Sequence, residues 1–580
     1  MTVESLITQH IDTWTSAVKT KSTTGRGSSK KLELYGVKKL RELILELAVR
    51  GKLVPQDPSD EPASVLLERI AAEKVQLVKD KKIKQSKKLE LISVEDYLFE
   101  IPSNWSWERL GNIGETNIGL TYSPKEAGDE GIPVLRSANI QKGKIDLTDL
   151  VRVQKDVKDS VLVDPGDLLI CARNGSKALV GKTAQIRILN EPMAFGAFMA
   201  IFRSCINDYV EVFLNSPVYR RNLEGVSTTT INQITQSNLR STICPIPPKE
   251  EQHRIVAKVD ELMALCDQLE QQTEASIDAH QLLVSTLLNT LTNSADADEL
   301  MENWARISDH FDTLFTTEES IDQLKQTILQ LAVMGKLVPQ DLNDEPASVL
   351  LERIAEEKAQ LIKEKKIKKQ KALPPIADDE KPFDLPKGWE WARFGELGYD
   401  LGGGTPSKGN SEYWGGSIPW VSPKDMKRDY IDSAIDNVTE KAVLETTIKL
   451  IPEYSLLMVV RGMILAHSFP VALTQKPVVI NQDMKAFVYN YIEPEFLLVV
   501  MKGIKNEMVD LVDRSSHGTC KLVSDKLWNV VLSIPPLGQQ RLIVKKTNEL
   551  LSICEHLKTC LKESQTTQLH LTDTIVEQAV

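Results

Sequence analysis

An internal duplication constrains the fold of this chain more than any other feature. The stretch LAVRGKLVPQD at 47–57 returns as LAVMGKLVPQD at 331–341, and this offset of 284 residues holds without a gap as far as position 123. Similarity resumes at an offset of 288, where residues 246–266 align with residues 534–554. Each copy is therefore a shared frame around a dissimilar middle, and the same structural unit must be built twice.

The frame is predicted to be helical. Apolar residues spaced three and four apart predict an amphipathic helix that packs on a partner helix. This spacing occurs at Val37, Leu40, Ile44 and Leu47, and again at Ile321, Leu324, Ile328 and Leu331. Gly51 and Gly335 are expected to cap these helices, and the Asp-Glu-Pro-Ala-Ser stretch that follows each of them opens another helix. Each copy therefore predicts a helical hairpin.

A much longer helix is predicted after each middle. The first begins after Pro248 and runs to about Asn293, which at 1.5 Å per residue spans on the order of 70 Å. Its counterpart begins after Pro536 and runs to the C-terminus. Helices of this length could hold two domains apart.

The dissimilar middles are predicted to be mostly β with some helix, because they contain short strand-like runs with turn signals. The chain is therefore predicted to be α+β, with two mostly-β domains separated by long antiparallel, coiled-coil-like helices in a pseudo-two-fold internal repeat. The predicted segments are an N-terminal helix and flexible linker (1–35, with the linker at 20–31), a helical region (36–101), a first β domain (102–245), a central long-helix region (246–382), a second β domain (383–533) and a C-terminal helix (534–580).

The net charge is uneven along the chain. A formal charge of −11 taken alone argues against nucleic-acid binding, because Lys and Arg usually neutralise the phosphates. The segment 246–330, however, carries about 17 acidic and about 5 basic residues, whereas 102–245 is nearly balanced at about +1. The acidity belongs to the connecting helices, so a DNA-reading surface on the β domains is not excluded.

The composition favours a cytoplasmic protein without a membrane span. Seven cysteines are scattered without a Cys-x-x-Cys pair, which indicates neither a disulfide framework nor a zinc site. The N-terminal MTVESLITQH lacks the basic and then apolar layout of a signal peptide, and no apolar run reaches the roughly 18 residues that a membrane span requires.

Over nearly its whole length the chain resembles the DNA-specificity (S) subunits of type I restriction-modification enzymes. The order of the motifs, present twice with divergent middles between them, is the specific signal. The motifs are Pro-x-x-Trp-x-Trp-x-x-x-Gly at 102–111 with a near equivalent at 386–395, Gly-Gly-Thr-Pro-Ser at 403–407, and Ile-Pro-Pro-x-x-x-Gln at 246–252 and 534–540.

Two places depart from the family pattern. The first domain has Gly-Leu-Thr-Tyr-Ser at 119–123 where the family pattern has Gly-Gly-Thr-Pro-Ser. The second copy lacks the Glu-Glu pair of Glu250 and Glu251, and carries Leu537 and Gly538 at 537–539 before Gln540.

The resemblance implies two target recognition domains, each reading one half of a bipartite target in double-stranded DNA. It implies a non-catalytic subunit that docks two methyltransferase subunits and, through them, restriction (motor-nuclease) subunits. No cofactor is expected in this chain, since S-adenosylmethionine, ATP and Mg are expected on the partner subunits. The N-terminal stretch is expected to pair with the C-terminal helix and complete a pseudo-two-fold copy of the central region.

Polar side chains in predicted turns are the candidate DNA contacts. Arg can bond guanine O6 and N7, and Asn or Gln can bond adenine N6 and N7, although ordinary loops contain the same residue types. The first-domain candidates are Arg136, Ser137, Asn139, Arg173, Asn174, Ser176, Lys177, Thr228, Thr229, Thr230, Asn232 and Gln233. The second-domain candidates are Ser407, Lys408, Lys424, Arg461, His467, Ser515, His517 and Lys521.

Two further features of the frame have open alternatives. The lysine runs at 79–88 and 363–371 could bind phosphates independently of sequence or could be solvated helix ends. The tryptophans at 105, 107, 389 and 391 could stack on bases, but their presence in both copies favours packing where each β domain begins.

Catalytic motifs are missing from the sequence. Gly181-Lys182-Thr183 lacks the earlier glycine of a P-loop, because Ser176 stands at that position. The chain has no Asn-Pro-Pro-aromatic motif of a methyltransferase, and its eight histidines have no metal-ligand spacing. The alternative function is a duplicated protein-protein scaffold without DNA readout, which predicts no salt-dependent DNA affinity in the assembled complex.

Overall fold

The computed structural model describes residues 3–22, 30–85, 87–226, 232–295, 297–341, 343–369, 372–514 and 519–580. The chain divides into two compact units. One consists of Met1–Ser276 together with Ser564–Val580, and the other of Ile277–Glu563. Both long helices therefore contribute residues to both units.

The elements that begin in the first unit follow in chain order. The helices are α1 (Val3–Gln9), α2 (Ile11–Ser16), α3 (Tyr35–Val49), α4 (Ala63–Lys79), α5 (Leu110–Ile113), α6 (Asn207–Asn215), α7 (Pro217–Val226), α8 (Gln236–Ser241) and α9 (Lys249–Asn293). The strands are β1 (Val18–Ser22), β2 (Lys30–Leu34), β3 (Ser106–Arg109), β4 (Glu115–Ile118), β5 (Ala127–Gly128), β6 (Ile132–Leu135), β7 (Ile140–Gln141), β8 (Lys144–Ile145), β9 (Val151–Val153), β10 (Leu168–Cys171), β11 (Thr183–Gln185), β12 (Ala194–Phe195), β13 (Met199–Arg203) and β14 (Ile243–Ile246).

The elements that begin in the second unit repeat this plan. The helices are α10 (Ala297–Asp309), α11 (Phe311–Leu314), α12 (Glu318–Val333), α13 (Ala347–Lys363), α14 (Glu440–Glu445), α15 (Pro494–Gly503), α16 (Lys505–Asp510), α17 (Ser524–Trp528) and α18 (Leu537–Ala579). The strands are β15 (Glu390–Arg393), β16 (Tyr399–Gly402), β17 (Trp414–Val421), β18 (Tyr430–Ile431), β19 (Asp436–Val438), β20 (Leu456–Val459), β21 (Val471–Thr474), β22 (Val479–Ile480), β23 (Met484–Val488), β24 (Asp513–Arg514), β25 (Cys520–Lys521) and β26 (Val531–Ile534).

The predicted frame helices are confirmed, including their caps. Helix α3 ends at Val49, and Gly51 follows with φ +70, a left-handed conformation that glycine adopts without strain. The Lys52 amide donates to the Leu47 carbonyl (2.9 Å), and Gly335, also at φ +70, ends α12 in the same way. A Cβ on Gly51 would lie 2.6 Å from the Pro102 ring, so the close approach of the β domain also requires glycine here.

In each unit, a short frame helix packs between the beginning of one long helix and the end of the other. In the first unit, α3 shares a buried apolar cluster with Leu262 of α9 and Ile575 of α18, and Tyr35 donates a 2.7 Å hydrogen bond to Asp573. In the second unit, α12 shares a cluster with Leu288 of α9 and Cys554 of α18. This confirms that the N-terminal frame pairs with the C-terminal helix, and the equivalent elements pair in the second unit.

The repeat extends further towards the N-terminus than the sequence analysis found. Helices α1 and α2 correspond to α10 and α11, because His10 and His310 both precede a short helix with nearly the same backbone angles (φ −118, ψ 24 and φ −117, ψ 19). Ile7 and Ile307 are buried in equivalent places. The offset is 300 residues here, so the first copy has an insertion of about 16 residues before α3.

That insertion corrects the predicted flexible linker at 20–31. Strands β1 and β2 form an antiparallel pair in which Val18 faces Leu34 and Ser22 faces Lys30. The linker prediction was therefore wrong at both of its ends, where backbone hydrogen bonds order a polar segment that has no strong strand pattern. The tip at 23–29 lies outside the described residues.

The two β domains share one topology despite their divergent sequences. The main sheet has the order β11-β10-β13-β4 in the first domain and β18-β21-β20-β23-β16 in the second, so the second adds one edge strand. A smaller sheet contains a parallel pair in each domain, β12 with β6 and β22 with β17. A separate antiparallel pair closes each domain where it begins and ends, β3 with β14 and β15 with β26.

The tryptophans at the beginning of each β domain confirm the packing interpretation. Trp105 and Trp389 are buried, and each donates its indole N–H to a residue of the following long helix, Glu251 (2.9 Å) and Gln539 (2.7 Å). The half-buried tryptophans at 107 and 391 pack against the rings of residues 99 and 383.

Each β domain also docks on the short helix of its own frame. In the first unit, the buried carboxylate of Glu46 on α3 accepts hydrogen bonds from Arg221 on α7 (2.6 Å) and Arg50 (2.9 Å). Burial raises the pKa of Glu46, but the two arginines outweigh it and the net pKa is lowered. The second unit has a neutral contact instead, from Gln326 on α12 to the Gly503 carbonyl (2.7 Å).

Among the described residues, no helix combines the length and the apolar character that crossing a membrane would need.

Candidate nucleic-acid interface

The loops that follow β6 and β10 in the first domain meet the segment before α8. Asn174 donates to the Ser137 hydroxyl (3.2 Å), and Asn232 donates to the Gly175 carbonyl (3.2 Å). Arg173 and Gln233 form an isolated antiparallel bridge. Candidates that are far apart in sequence therefore lie in one cluster, named here the first strand-end cluster (136–139, 173–177 and 232–233).

Within this cluster the candidates differ in what they can offer a ligand. Ser176 and Lys177 are exposed, and Arg136 is half-buried with a 3.2 Å hydrogen bond to Asp149. Asn139 is only 1% exposed, and its amide donates to the carbonyls of Asp146 (2.9 Å) and Asp149 (2.8 Å). Both side-chain donors of Asn139 are therefore committed to the loop in this structure.

Arg173 is an exposed residue of the first strand-end cluster. Its guanidinium carbon is 5.3 Å from the centre of the Phe198 ring, and Phe198 is 61% exposed. No described residue forms an ion pair with Arg173 or accepts a hydrogen bond from its side chain. A cavity of about 330 Å³ opens beside the pair, with Ile118, Gln233 and Gln236 in its wall.

The second domain places its candidates at the equivalent strand ends. Arg461 follows β20 and forms an isolated bridge with Lys521, as Arg173 does with Gln233. Both side chains are exposed. The nearest acidic group to Arg461 is Asp483, whose Oδ1 lies 3.9 Å from a guanidinium nitrogen. The second strand-end cluster consists of 403–408, 422–425, 461–467, 481–483 and 521.

The other second-domain candidates are exposed at turns of this cluster or next to it. Ser407 and Lys408 follow the Gly-Gly-Thr-Pro loop, where the Ser407 carbonyl accepts from the Trp414 indole (3.1 Å). Lys424 is in the turn after β17, and His467 follows a short 3-10 helix. The candidates Thr228, Thr229, Thr230, Ser515 and His517 lie outside the described residues.

The glycine loops of the two domains have the same backbone arrangement. The amides of Leu120 and Gly404 donate to the carbonyls of Phe195 (2.6 Å) and Ile480 (2.9 Å), which occupy equivalent places in the parallel strand pairs. A Cβ on Gly119 would lie 2.3 Å from the Phe195 carbonyl oxygen, and one on Gly403 would lie 1.9 Å from that of Asn481. The departure from the family motif in the first domain therefore does not change the close approach at its first glycine.

Sequence reasoning missed Phe198, which lies beside the first strand-end cluster, and Asp483, which belongs to the second. Phe198 falls within the apolar run MAFGAFMAIF, which reads as a buried strand, and only the turn at Gly196 places its ring outside. Asp483 had a visible signal, because Asn-Gln-Asp at 481–483 interrupts a strongly apolar stretch.

At the beginning of each domain a buried tryptophan contacts the long helix. Its partner on that helix is a carboxyl group in the first copy and an amide in the second. Glu251 is fully buried and accepts from Trp105 (2.9 Å) and Gln56 (2.6 Å), and burial raises its pKa above the ordinary glutamate value. Gln539 is buried at the equivalent place and accepts from Trp389 (2.7 Å). Each long helix is thereby fixed to its domain by a different hydrogen-bonding group.

Within the described part of the chain, no group of three or more His, Cys, Asp or Glu side chains comes close enough together to hold a metal ion.

Comparison with known proteins gives consistent relatives. A family described as the type I restriction modification DNA specificity domain matches residues 102–279 and 386–564. The specificity subunit of the type I restriction enzyme EcoAI from Escherichia coli is 42% identical over 619 residues, covering 100% of both chains. That of EcoEI, also from Escherichia coli, is 40% identical over 608 residues with the same coverage.

The fold has a counterpart among solved structures. A chain from work on complex assembly and conformational transition of the type I R-M system has a TM-score of 0.51 and 16% sequence identity, covering 83% of this chain and 98% of that chain. At this identity the likeness concerns the fold.

Proposed function

The chain belongs to the family of type I restriction-modification DNA specificity subunits, and from that membership we propose that it reads a bipartite sequence in double-stranded DNA. Each recognition domain reads one half of the target through its strand-end cluster. The observation that carries this proposal is the recurrence of an exposed arginine at the same backbone position in two domains of otherwise divergent sequence. Arginine at such a position can bond guanine in the major groove.

The exposed candidates are proposed to make two kinds of contact with DNA. Arg173, Gln233, Arg461 and Lys521 lie at the bridges and are proposed to reach base edges. Arg136, Lys177, Lys408, Lys424 and His467 are proposed to contact phosphates or flanking bases, which fixes the register of the domain on the duplex. The lysine runs at 79–88 and 363–371 follow the ends of α4 and α13, and they are proposed to add sequence-independent affinity.

The chain is proposed to be non-catalytic and to work in a cytoplasmic complex. The frame is present twice, so it offers the same helical surface to two methyltransferase subunits, and restriction (motor-nuclease) subunits join through them. S-adenosylmethionine, ATP and Mg belong to those partners. The long helices set the distance between the half-sites, and successive major-groove faces on one side of a duplex are about 34 Å apart.

Methylation mapping tests the proposed function. Cells that express this chain with its partner subunits are expected to show one bipartite methylated motif, which disappears when the gene for this chain is deleted. A duplicated protein scaffold would leave the methylation pattern unchanged, and that result would overturn the proposal.

Binding by the purified complex gives an independent measurement. The complex is expected to bind a duplex with both half-sites at least about a thousandfold more tightly than a scrambled duplex. Affinity for both duplexes should fall as salt rises, because phosphate contacts release counterions. Equal, salt-independent affinity would favour the scaffold alternative.

A further inference from the structure

The two strand-end arginines occupy the same place in the backbone. The amides of Ala172 and Arg173 both donate to the carbonyl of Phe198 (2.9 Å each). In the second domain, the amides of Val460 and Arg461 both donate to the carbonyl of Asp483 (2.9 and 3.1 Å). Positions 198 and 483 are therefore structurally equivalent, and the residue found there is the neighbour that each arginine meets.

In the first domain this neighbour is an aromatic ring. The guanidinium of Arg173 lies over Phe198 at 5.3 Å, and no described residue accepts a hydrogen bond from its side chain. All five N–H donors of an arginine held in this way remain free for a ligand. Phe198 is 61% exposed, so its ring lies at the surface beside Arg173.

In the second domain the neighbour is a carboxylate. Asp483 is half-buried, and its own Oδ2 accepts from the side chain of Asn481 (3.3 Å) while Oδ1 faces Arg461 at 3.9 Å. At that distance the guanidinium is attracted but not hydrogen-bonded, so both groups keep bonding capacity. The second domain therefore presents donors and an acceptor side by side, where the first presents donors alone.

We propose that the residues at 198 and 483 determine which base edge each strand-end arginine reads. This inference rests on the proposed function of the two domains. With Phe198, the donor-only surface of Arg173 selects the two acceptors of guanine, O6 and N7. With Asp483, Arg461 and the carboxylate together select an edge that offers an acceptor beside an exocyclic amino group. The major-groove edge of a G·C base pair is such an edge.

The test uses the full methyltransferase complex assembled with variants of this chain and a plasmid library randomised over both half-sites. Phe198→Asp is expected to reduce discrimination about tenfold or more at one position of the first half-site and to leave the second unchanged. Asp483→Asn is expected to do the same at one position of the second half-site only. Phe198→Leu, which keeps the apolar bulk and removes the ring face, should reduce discrimination at the same position as Phe198→Asp.

Two control variants make equivalent changes away from the clusters. Ile188→Asp places a carboxylate at an exposed position beyond β11, at the opposite end of the β10-β11 pair from Arg173. Asp432→Asn removes the carboxylate of an exposed 2.9 Å pair with Arg428, beyond the end of β18. Both controls should leave the motif unchanged.

The outcomes separate this inference from the proposed function. A wild-type complex without a bipartite motif would overturn the proposed function itself. A normal wild-type motif that none of the three variants alters at a single position would overturn only the inference, as would a uniform loss of methylation at all targets by complexes that retain the wild-type melting temperature. A change confined to one position of the matching half-site supports it.

Discussion

The two recognition domains are alike in backbone and unlike in the side chains that their strand ends expose. Both have the same central order of strands, and in both a loop glycine passes close to the backbone of a neighbouring strand. In both, an exposed arginine forms an isolated β-bridge. Position 198 in one and 483 in the other then differ between an aromatic ring and a carboxylate. The comparison teaches that backbone hydrogen bonds place each strand-end arginine in the same way, whereas the side chain beside it differs between the domains.

The frame shows the opposite balance, with recognisable sequence similarity between the copies and small chemical changes at equivalent positions. Glu46 in α3 is Gln330 in α12, and Glu251 in α9 is Gln539 in α18. Both acidic residues of the first copy are buried, and their pKa values shift in opposite directions because only Glu46 faces arginines at hydrogen-bonding distance. Two frames of similar structure can therefore differ in how their stability depends on pH.

The largest effect on DNA recognition is expected from adding a side chain to the glycine where each loop backbone passes close to the neighbouring strand. Gly403→Ala would place a Cβ 1.9 Å from the Asn481 carbonyl oxygen, so the backbone of the loop must move, at a cost of about 3 kcal/mol. Recognition of the second half-site should be lost while the first is retained. Gly402→Ala is the matched control, because nothing lies within 4 Å of its Cβ.

Gly119→Ala extends the same comparison to the first domain. Its Cβ would lie 2.3 Å from the Phe195 carbonyl oxygen, so a smaller loss is expected, and it should be confined to the first half-site. Methylation of single half-site variants measures both effects. Loss of both half-sites from either substitution would contradict the independence of the two domains.

A smaller effect is expected at the docking contact of the first domain. Glu46→Gln removes the charge that Arg221 and Arg50 face, and because Arg221 is half-exposed the expected loss is about 1 to 2 kcal/mol. The pKa of Glu46 is lowered in the folded chain, so its stabilisation is present above the unfolded pKa and is lost as pH falls from there through the folded pKa. The variant should lose less stability than wild type on acidification.

Thermal unfolding at pH 7 and in the acid range measures this difference. Gln330→Glu in the second copy is the matched reciprocal change. Met334 stands where the first copy has Arg50, so the new carboxylate lacks that partner and should destabilise the chain. A stabilising effect of Gln330→Glu would show that the two docking contacts are more alike than the comparison states.

The smallest effect is expected at the site that joins each long helix to its domain. The pKa of Glu251 is raised by burial, so the folded chain binds more protons than the unfolded chain between the two pKa values, and stability falls as pH rises through that interval. Glu251→Gln should remove this decline and raise the melting temperature slightly at neutral pH. Gln539→Glu should introduce a decline of the same sign in the second copy.

Melting curves of the three proteins from pH 4 to pH 8 test this pair of substitutions. Equal pH dependence in wild type and Glu251→Gln would mean that the carboxyl is solvated in solution.

Much of the frame was predictable because its signals are local. The stripe of Val37, Leu40 and Ile44 is buried as predicted, and α9 begins and ends at the predicted residues. The relation of α1 and α2 to α10 and α11 was missed, because it rests on scattered positions such as His10 and His310 and is interrupted by the inserted pair of β1 and β2. Few identities over short helices leave little periodic signal.

The candidate site was predictable in its residue types and not in its grouping. Arg173, Asn174 and Asn232 were selected as polar turn residues, and the structure joins them in one cluster. Asn139 was selected on the same grounds, yet its amide is committed inside the loop. Phe198 was not selected, because an aromatic residue within an apolar run gives no sign that it will be exposed.

The sequence by itself determined the duplication, the helical frame, its glycine caps and the division between helices and β domains. These depend on periodicity and on identity between copies, which are properties of neighbouring residues along the chain. Only the tertiary structure decided that the divergent middles share one strand order, which turns meet, and which side chain lies beside each strand-end arginine. Those features depend on hydrogen bonds between strands far apart in sequence, and many different sequences can satisfy a backbone pattern of that kind.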